Sequence, residues 1–385
     1  MKRKDLSAHL FGAGPKRILA LDGGGIRGIL TVQLLKRIEK LVRERTGNDK
    51  AVLADYFDLI GGTSTGAIIA AALALGWPVE RIEELYLELG NSIFKSSFFR
   101  RGLLTPKFSA EPVRKALEDR VKGFGDTKLG GSNILTGLAV VAKRLDTGSP
   151  WVIHNNPKGR YFNQVEGSSS TPNKDYLLSD VVRASTAAPT YFEPEMIRVS
   201  DDMEGAFVDG GVSPHNNPAL QLLMLATLKG HKLCWPTGAD KLLLVSLGTG
   251  SKTFKLDPKE VMDNAAAKLG IRALSTLMED AGALNELMLQ WMSASQTPRE
   301  IDSEIGDLSE DILGGGKPLL TYLRYDVKFD DAWLKDKLKL TLDAQQLDSI
   351  AEMDMAENMD TLVKIGTAAA GRIKGDHFGR GFDIE

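Results

Sequence analysis

The sequence predicts an α/β fold, a parallel sheet covered by helices, and three observations carry that reading. An apolar segment from Arg17 to Leu21 (RILAL) runs into Asp22-Gly23-Gly24-Gly25; apolar residues then recur at Ile29, Leu30, Leu34, Ile38, Leu41 and Val42 with helical spacing. The same order returns at 56–60 (YFDLI), Gly61-Gly62-Thr63-Ser64 and the small-residue helix 65–75. Two strand–loop–helix units in succession favour parallel strands with helices on the sheet. Third, 241–247 (KLLLVSL) has the continuous apolar character of a strand buried on both faces and closes on Gly248-Thr249-Gly250.

The remaining elements follow in order. Residues 1–15 read as a loose basic arm. Arg43, Arg45 and Gly47 are stop signals for the first helix. Residues 80–130 alternate helical stretches with basic and glycine-rich connections; 134–142 and 151–153 read as strands and 158–174 as a polar loop. A helix is expected over 177–188. A strand at 206–208 runs into Asp209-Gly210-Gly211, and Asn217-Pro218 opens another helix. Beyond 250 the texture changes: helix over 258–296, an acidic then glycine-rich loop over 302–317, an alternating half-buried strand over 321–329, helix over 343–373 and a frayed tail. The domain reading is therefore an arm (1–15), an α/β domain (16–250) and a mainly helical extension (251–385).

At 385 residues with 43% hydrophobic content the chain can bury a sizeable core. A net charge of −3 gives no basis for a nucleic-acid partner, which calls for a strong basic excess. The single cysteine, Cys234, excludes an intrachain disulfide and a multi-cysteine zinc site, and fits a reducing compartment such as cytoplasm. The basic N-terminus is not followed by the apolar run of a signal peptide, and the longest apolar run, 67–77, is too short to span a bilayer. Contact with membranes is therefore expected to be peripheral.

Two motifs carry chemistry. Gly62-Thr63-Ser64-Thr65-Gly66 is Gly-x-Ser-x-Gly between a strand and a helix, the turn that exposes a nucleophilic serine near helix amide dipoles. The competing structural reading is a glycine-rich turn that happens to contain serine. Asp22 to Gly28 (DGGGIRG) supplies successive glycine amides able to form an anion nest, as an acyl-transfer enzyme needs for its oxyanion. Arg27 either adds charge there or tethers the loop. Gly23-x-Gly25-x-x-Gly28 also has dinucleotide spacing, but Asp22 would repel a pyrophosphate, and no acidic residue closes a second strand about 20 residues on, because 43–49 reads as helix end and loop. A Walker loop fails for lack of Gly-Lys-Ser/Thr.

The serine needs a proton acceptor. Of five histidines, His9 lies in the arm, His377 in the tail, and His154 and His231 in ordinary contexts, which leaves His215. Asp209, at a strand end before two glycines, is the other option: partly desolvated, its carboxylate can act as base without histidine. An aspartate that merely caps the following turn fits the residues equally well.

DGGGIRG, GTSTG and VDGGV in this order, with ASTAAPTYF (184–192), LLLVSLGTG (242–250) and LADYFDLIGGTSTG (53–66), resemble the patatin-like phospholipases from about Lys16 to Gly250. The resemblance implies a three-layer α/β/α sandwich with about six mostly parallel strands. It implies a Ser64–Asp209 dyad, an oxyanion hole from Gly24 and Gly25 helped by Arg27, and motif support from Gly23, Gly28, Gly62, Gly66, Gly210 and Gly211. It implies no cofactor and no metal, with phospholipids or other acyl esters as substrates. His215 falls outside the motifs. Some bacterial relatives are defence effectors awaiting a cyclic nucleotide that assembles them; here the unexplained residues 251–385 motivate that expectation of an activator and a homo-oligomer. Within them, Leu284, Leu287, Met288 and Trp291 form a stripe that is core or partner-facing. The cluster Lys95–Arg101 with Phe94, Phe98 and Phe99 is the membrane-docking expectation. Two other readings stand beside the dyad: a non-catalytic module holding a phosphate ligand in the glycine nest, and an esterase using His215.

Overall fold

The computed structural model describes residues 3–90, 111–119, 123–189, 191–252, 266–313 and 315–383. The basic aromatic cluster at 94–101 lies outside them. Among the described residues nine strands form one sheet: β1 (Lys16–Leu21), β2 (Leu59–Thr63), β3 (Gly137–Arg144), β4 (Ser149–His154), β5 (Glu195–Ser200), β6 (Met203–Asp209), β7 (Leu242–Leu247), β8 (Ser293–Ala294) and β9 (Leu320–Tyr325). Their order is β5-β6-β3-β2-β1-β7-β9-β8, with β4 also paired to β3. The run from β3 through β2, β1, β7 and β9 to β8 is parallel; β4, β5 and β6 are antiparallel additions.

The strands are buried on both sides, and alternate side chains enter two separate cores. From β1, Leu19 and Leu21 enter one core, Ile18 and Ala20 the other. The first core packs under α2 (Gly28–Thr46), α3 (Thr65–Ala74) and α4 (Leu178–Ser185); the second packs under α1 (Leu6–Phe11), α5 (Ala219–Thr227) and part of α6 (Ala266–Trp291). This is the α/β/α sandwich expected. Gly47 ends α2 in the left-handed region (φ 61), its N–H bonded to the Arg43 carbonyl, as the stop signals required. Gly66 to Ala74 of α3 are all buried, so its alanines let it lie close on the sheet.

Several expectations need correction. The N-terminal arm is not loose: Asp5 caps α1, and His9 is buried against Asp58. Residues 53–56 form a short helix, whose Asp55 side chain accepts from the Val52 N–H, so the second strand starts at Leu59 rather than Tyr56. The sheet has nine strands rather than about six, because residues 251–385 donate β8 and β9 and residues 149–209 donate β4 to β6. β9 is almost wholly buried instead of half-buried, because it is an interior strand between β7 and β8 with cores on both faces. The helix expected over 343–373 is two, α7 (Ala344–Ala351) and α8 (Met359–Ala370). Between them the Met353 carbonyl accepts from Ile26 N–H, a role that a continuous helix would deny it. The tail is packed rather than frayed: Phe378 and Phe382 are buried, and Arg17 donates to the Phe382 carbonyl. Among the described side chains of α6, Asn285, Leu289 and Gln290 are buried; of the sequence stripe Leu287, Met288 and Trp291 are half-buried and Leu284 is exposed.

Candidate active site

The pairing around β3 brings two catalytic-type side chains together. β2 pairs along β3 from Gly137 to Val141, with Thr63 opposite Val141. β6 pairs with Ala142 to Arg144, with Asp209 opposite Ala142. β4 pairs with residues 139–144 and so occupies the other edge. β2 and β6 therefore share one edge of β3 and meet end to end, and the residues at their tips, Ser64 and Asp209, become neighbours. Ser64 Oγ donates to Asp209 Oδ2 at 2.5 Å.

Ser64 sits in the strained conformation of a nucleophile turn, with φ 56 and ψ −128. Such a backbone costs roughly 1–3 kcal/mol and persists only where the surroundings fix it. Here the Ser64 N–H donates to Ser185 Oγ at 2.8 Å, and that hydroxyl donates to the Val141 carbonyl at 2.5 Å. Gly62 and Gly66 are forced by close approach: a Cβ on Gly62 would overlap the Gly66 carbonyl, and one on Gly66 the Leu21 carbonyl.

Asp209 is buried. Besides Ser64, it accepts from the Gly211 N–H at 2.7 Å through Oδ1, so it caps its turn and receives the serine proton donor at once. Burial pushes its carboxyl up to about 6; the bonds from Ser64 and Gly211 and the charge of Arg183 offset this only in part. Gly210 and Gly211 form the turn that follows.

The glycine loop stands beside the serine. A Cβ on Gly23 would lie 3.0 Å from Ser64 Cβ. Gly25 has φ 59 and lies under Met353. Among the described residues the N–H groups of Gly24 and Gly25 donate to no protein acceptor, whereas Gly23 N–H is spent on the Asn216 carbonyl and Arg27 N–H on the Gly24 carbonyl. Two free amides in a loop beside a serine are an arrangement able to receive an oxyanion. Arg27 is tethered to the loop: Nε donates to the Gly24 carbonyl at 3.4 Å and Nη1 to the Ala351 carbonyl at 3.1 Å. Gly28 starts α2 against Tyr86, whose hydroxyl bonds the Gly25 carbonyl.

The ring of His215 is hydrogen-bonded to neither Ser64 nor Asp209, and its buried Nδ1 has no partner among the described residues; its contribution is a carbonyl that accepts from Thr63 Oγ1 at 2.6 Å. Sequence reasoning missed Ser185, Thr249, which donates to the Gly23 carbonyl at 3.0 Å, and Asn216. Ser185 stood inside ASTAAPTYF, but nothing in that string tells a hydroxyl bonded to a backbone amide from an ordinary helical serine. Among the described residues no group of three His, Cys, Asp or Glu could hold a metal ion, and no helix is long and apolar enough to cross a membrane.

Fold and site together define an α/β protein with a serine on a tight strand–helix turn, hydrogen-bonded to a buried carboxylate. The model of the patatin-like phospholipase family matches residues 19–223, and the chain belongs to that family of carboxylic ester hydrolases. Patatin-17 of Solanum cardiophyllum is 29% identical over 292 residues, 71% of this chain and 70% of that protein. A cGAMP-activated phospholipase of Escherichia coli (strain TW11681) is 27% identical over 246 residues, 63% of this chain and 64% of that protein. The chain thus spans roughly two thirds of the length of these relatives. Among solved structures, VipD of Legionella pneumophila aligns over 91% of this chain and 67% of that one at 13% identity, with a TM-score of 0.35.

Proposed function

We propose that the protein hydrolyses acyl esters of membrane phospholipids through a Ser64–Asp209 dyad and an acyl-enzyme. The observation that carries the reading is the direct hydrogen bond from Ser64 Oγ to a buried carboxylate, with two unspent glycine amides alongside. Asp209 takes the Ser64 proton as Oγ attacks the ester carbonyl. The oxyanion of the tetrahedral intermediate accepts from Gly24 and Gly25 N–H. Collapse expels the alcohol, the lysolipid when the substrate is a phospholipid, which leaves with the proton held by Asp209. Asp209 then deprotonates water for attack on the acyl-enzyme, and as the fatty acid departs Ser64 Oγ takes back the proton held by Asp209. A carboxyl near 6 suits a base at neutral pH: mostly ionised, yet more basic than an ordinary aspartate.

The test is hydrolysis of a chromogenic ester and of mixed lipid vesicles, with mass-spectrometric product analysis. Ser64→Ala and Asp209→Asn abolish both activities, while His215→Ala stays within about threefold of wild type. Wild type is labelled at Ser64 by a fluorophosphonate. A folded wild type with neither hydrolysis nor label supports the phosphate-binding module instead, and a His215→Ala variant as damaged as Ser64→Ala supports the histidine esterase. The proposal extends to regulation by a cyclic nucleotide, on the strength of the relative that bears cGAMP in its name. Adding cGAMP then raises esterase activity and shifts the chain to a larger assembly in mass photometry; indifference to it removes this part alone.

A further inference from the structure

Five charged side chains lie together behind the glycine loop, and the mechanism above uses none of them. Arg324, on β9, donates through Nη2 to Asp22 Oδ2 at 2.7 Å and to Asp326 Oδ2 at 3.0 Å, and through Nη1 to Ser246 Oγ at 2.8 Å. Glu286 of α6 lies 3.7 Å from Arg324 Nε and 3.1 Å from Arg299 Nε. Arg299 Nη1 lies 3.6 Å from Asp326. Arg324 and Asp22 are buried, the Asp326 side chain is 6% exposed, and four of the five members come from residues beyond 250.

A plain reading is a buried ionic staple between strands. Its connections are more directed than that, because they reach the glycine loop by two routes. Asp22 is the residue before Gly23, and its N–H is tied to the Leu247 carbonyl. The second route passes through the Gly248–Gly250 turn. Asp326 Oδ1 accepts from Gly250 N–H at 2.9 Å, and the intervening Thr249 donates to the Gly23 carbonyl and fills the space beside Gly24. Both routes fix the backbone just upstream of the two free amides.

We propose that Arg324 is a positioning residue that sets the oxyanion-binding loop, by clamping Asp22 directly and the Gly248–Gly250 turn through Asp326. This rests on the reading of Gly24 and Gly25 as oxyanion donors. Its physical basis is geometric: a planar fork fixes three acceptors in one plane, and misplacing a catalytic group by about 1 Å can cost about 100-fold in rate. Three carboxylates face two guanidiniums, and Asp22 is the member whose charge is least secure. Burial, only partly offset by Arg324, raises it to about 6, while its Oδ1 has no partner.

The experiment compares Arg324→Lys, Arg324→Met and Asp22→Asn with Arg17→Lys, a buried arginine at the far end of β1 that pairs with Asp58. Readouts are kcat and KM on a soluble p-nitrophenyl ester, the fluorophosphonate labelling rate, and thermal unfolding. Arg324→Lys lowers kcat and labelling rate about 10- to 100-fold with KM within about threefold, and Arg324→Met lowers them further. Asp22→Asn lowers kcat about fivefold or more, and Arg17→Lys keeps wild-type kcat. A folded Arg324→Lys with wild-type kcat, or a loss that falls on KM alone, overturns the proposal. If both Arg324 variants fail to fold, Asp22→Asn decides, and an unchanged kcat there overturns it. A folded wild type that neither hydrolyses ester nor labels sinks this inference together with the function above; an active wild type with an indifferent Arg324→Lys sinks this inference alone.

Discussion

The two ends of the central strands each bury an aspartate, and the surroundings send the two in opposite directions. At the N-terminal end, Asp58 accepts from His9 Nδ1 at 2.9 Å and from Arg17 N and Nε at 3.0 and 3.1 Å. Burial alone would raise its carboxyl, but the His9 bond and the Arg17 charge outweigh that and hold it below the ordinary value. At the C-terminal end, Asp209 has a hydroxyl and one amide instead of adjacent cations, and burial wins. Depth is the same at both places. Between these two, the difference is the His9 bond and the Arg17 charge at Asp58, which Asp209 lacks.

The widest separation of the two ends comes from replacing each carboxylate. Asp209→Asn lowers kcat by about 1,000-fold or more, as loss of a general base does, whereas Asp58→Asn leaves kcat per folded molecule at the wild-type level. Stability moves the other way. Asp58→Ala costs about 3–5 kcal/mol in urea unfolding, because it leaves Arg17 buried without its partner.

Asp209→Asn stabilises at neutral pH. The folded pKa of Asp209 is raised, so its favourable share is present below about 4 and is lost as pH rises through about 6. Removing the charge recovers up to about 3 kcal/mol above that range and nothing near pH 4. Asp58, held low, works in the opposite sense: its share is present above about 4 and is lost in stronger acid. Unfolding curves of the two Asn variants against pH therefore diverge with opposite slopes, and parallel curves would remove the distinction.

The pH–rate profile is a milder probe. kcat/KM falls below an apparent pKa of about 6 as Asp209 takes a proton; the limb disappears in no variant that retains the dyad, and its absence from wild type would deny Asp209 the role of base. The smallest effect is at Ser185→Ala, which unties Ser64 N–H from Val141. It costs about 1–3 kcal/mol for the buried amide left unpaired and slows turnover several-fold with little change in KM.

How much of this could be read from the residues depends on range. DGGGIRG and GTSTG are local: each writes a strand end, a glycine turn and a helix start in consecutive letters, so the loop, the serine and α2 were legible. Asp209 reads from the sequence as a base or as a cap; in the structure one of its oxygens accepts from Gly211 N–H, which is the cap, and the other accepts from Ser64 Oγ, the contact on which the proposed base role rests. The Arg324–Asp22 contact spans 302 positions, and nothing in RYDVK announces it. The same holds for Arg17 and Phe382, 365 positions apart, which pack a tail whose glycines read as fraying. The break at 352–358 escaped for a related reason: its cause is the Ile26 amide, across the molecule. Contacts of this kind are fixed by tertiary packing, to which local propensity is blind.

Because β2 and β6 abut on a single edge of β3, the separation of Ser64 and Asp209, the proposed nucleophile and base, is set by ladder hydrogen bonds in the sheet interior rather than by the pose of a surface loop. Heating such a molecule has little to loosen at the chemical centre before the sheet itself gives way. Inactivation and loss of tertiary structure are then one event with one midpoint, and the working enzyme keeps its full rate up to the edge of melting.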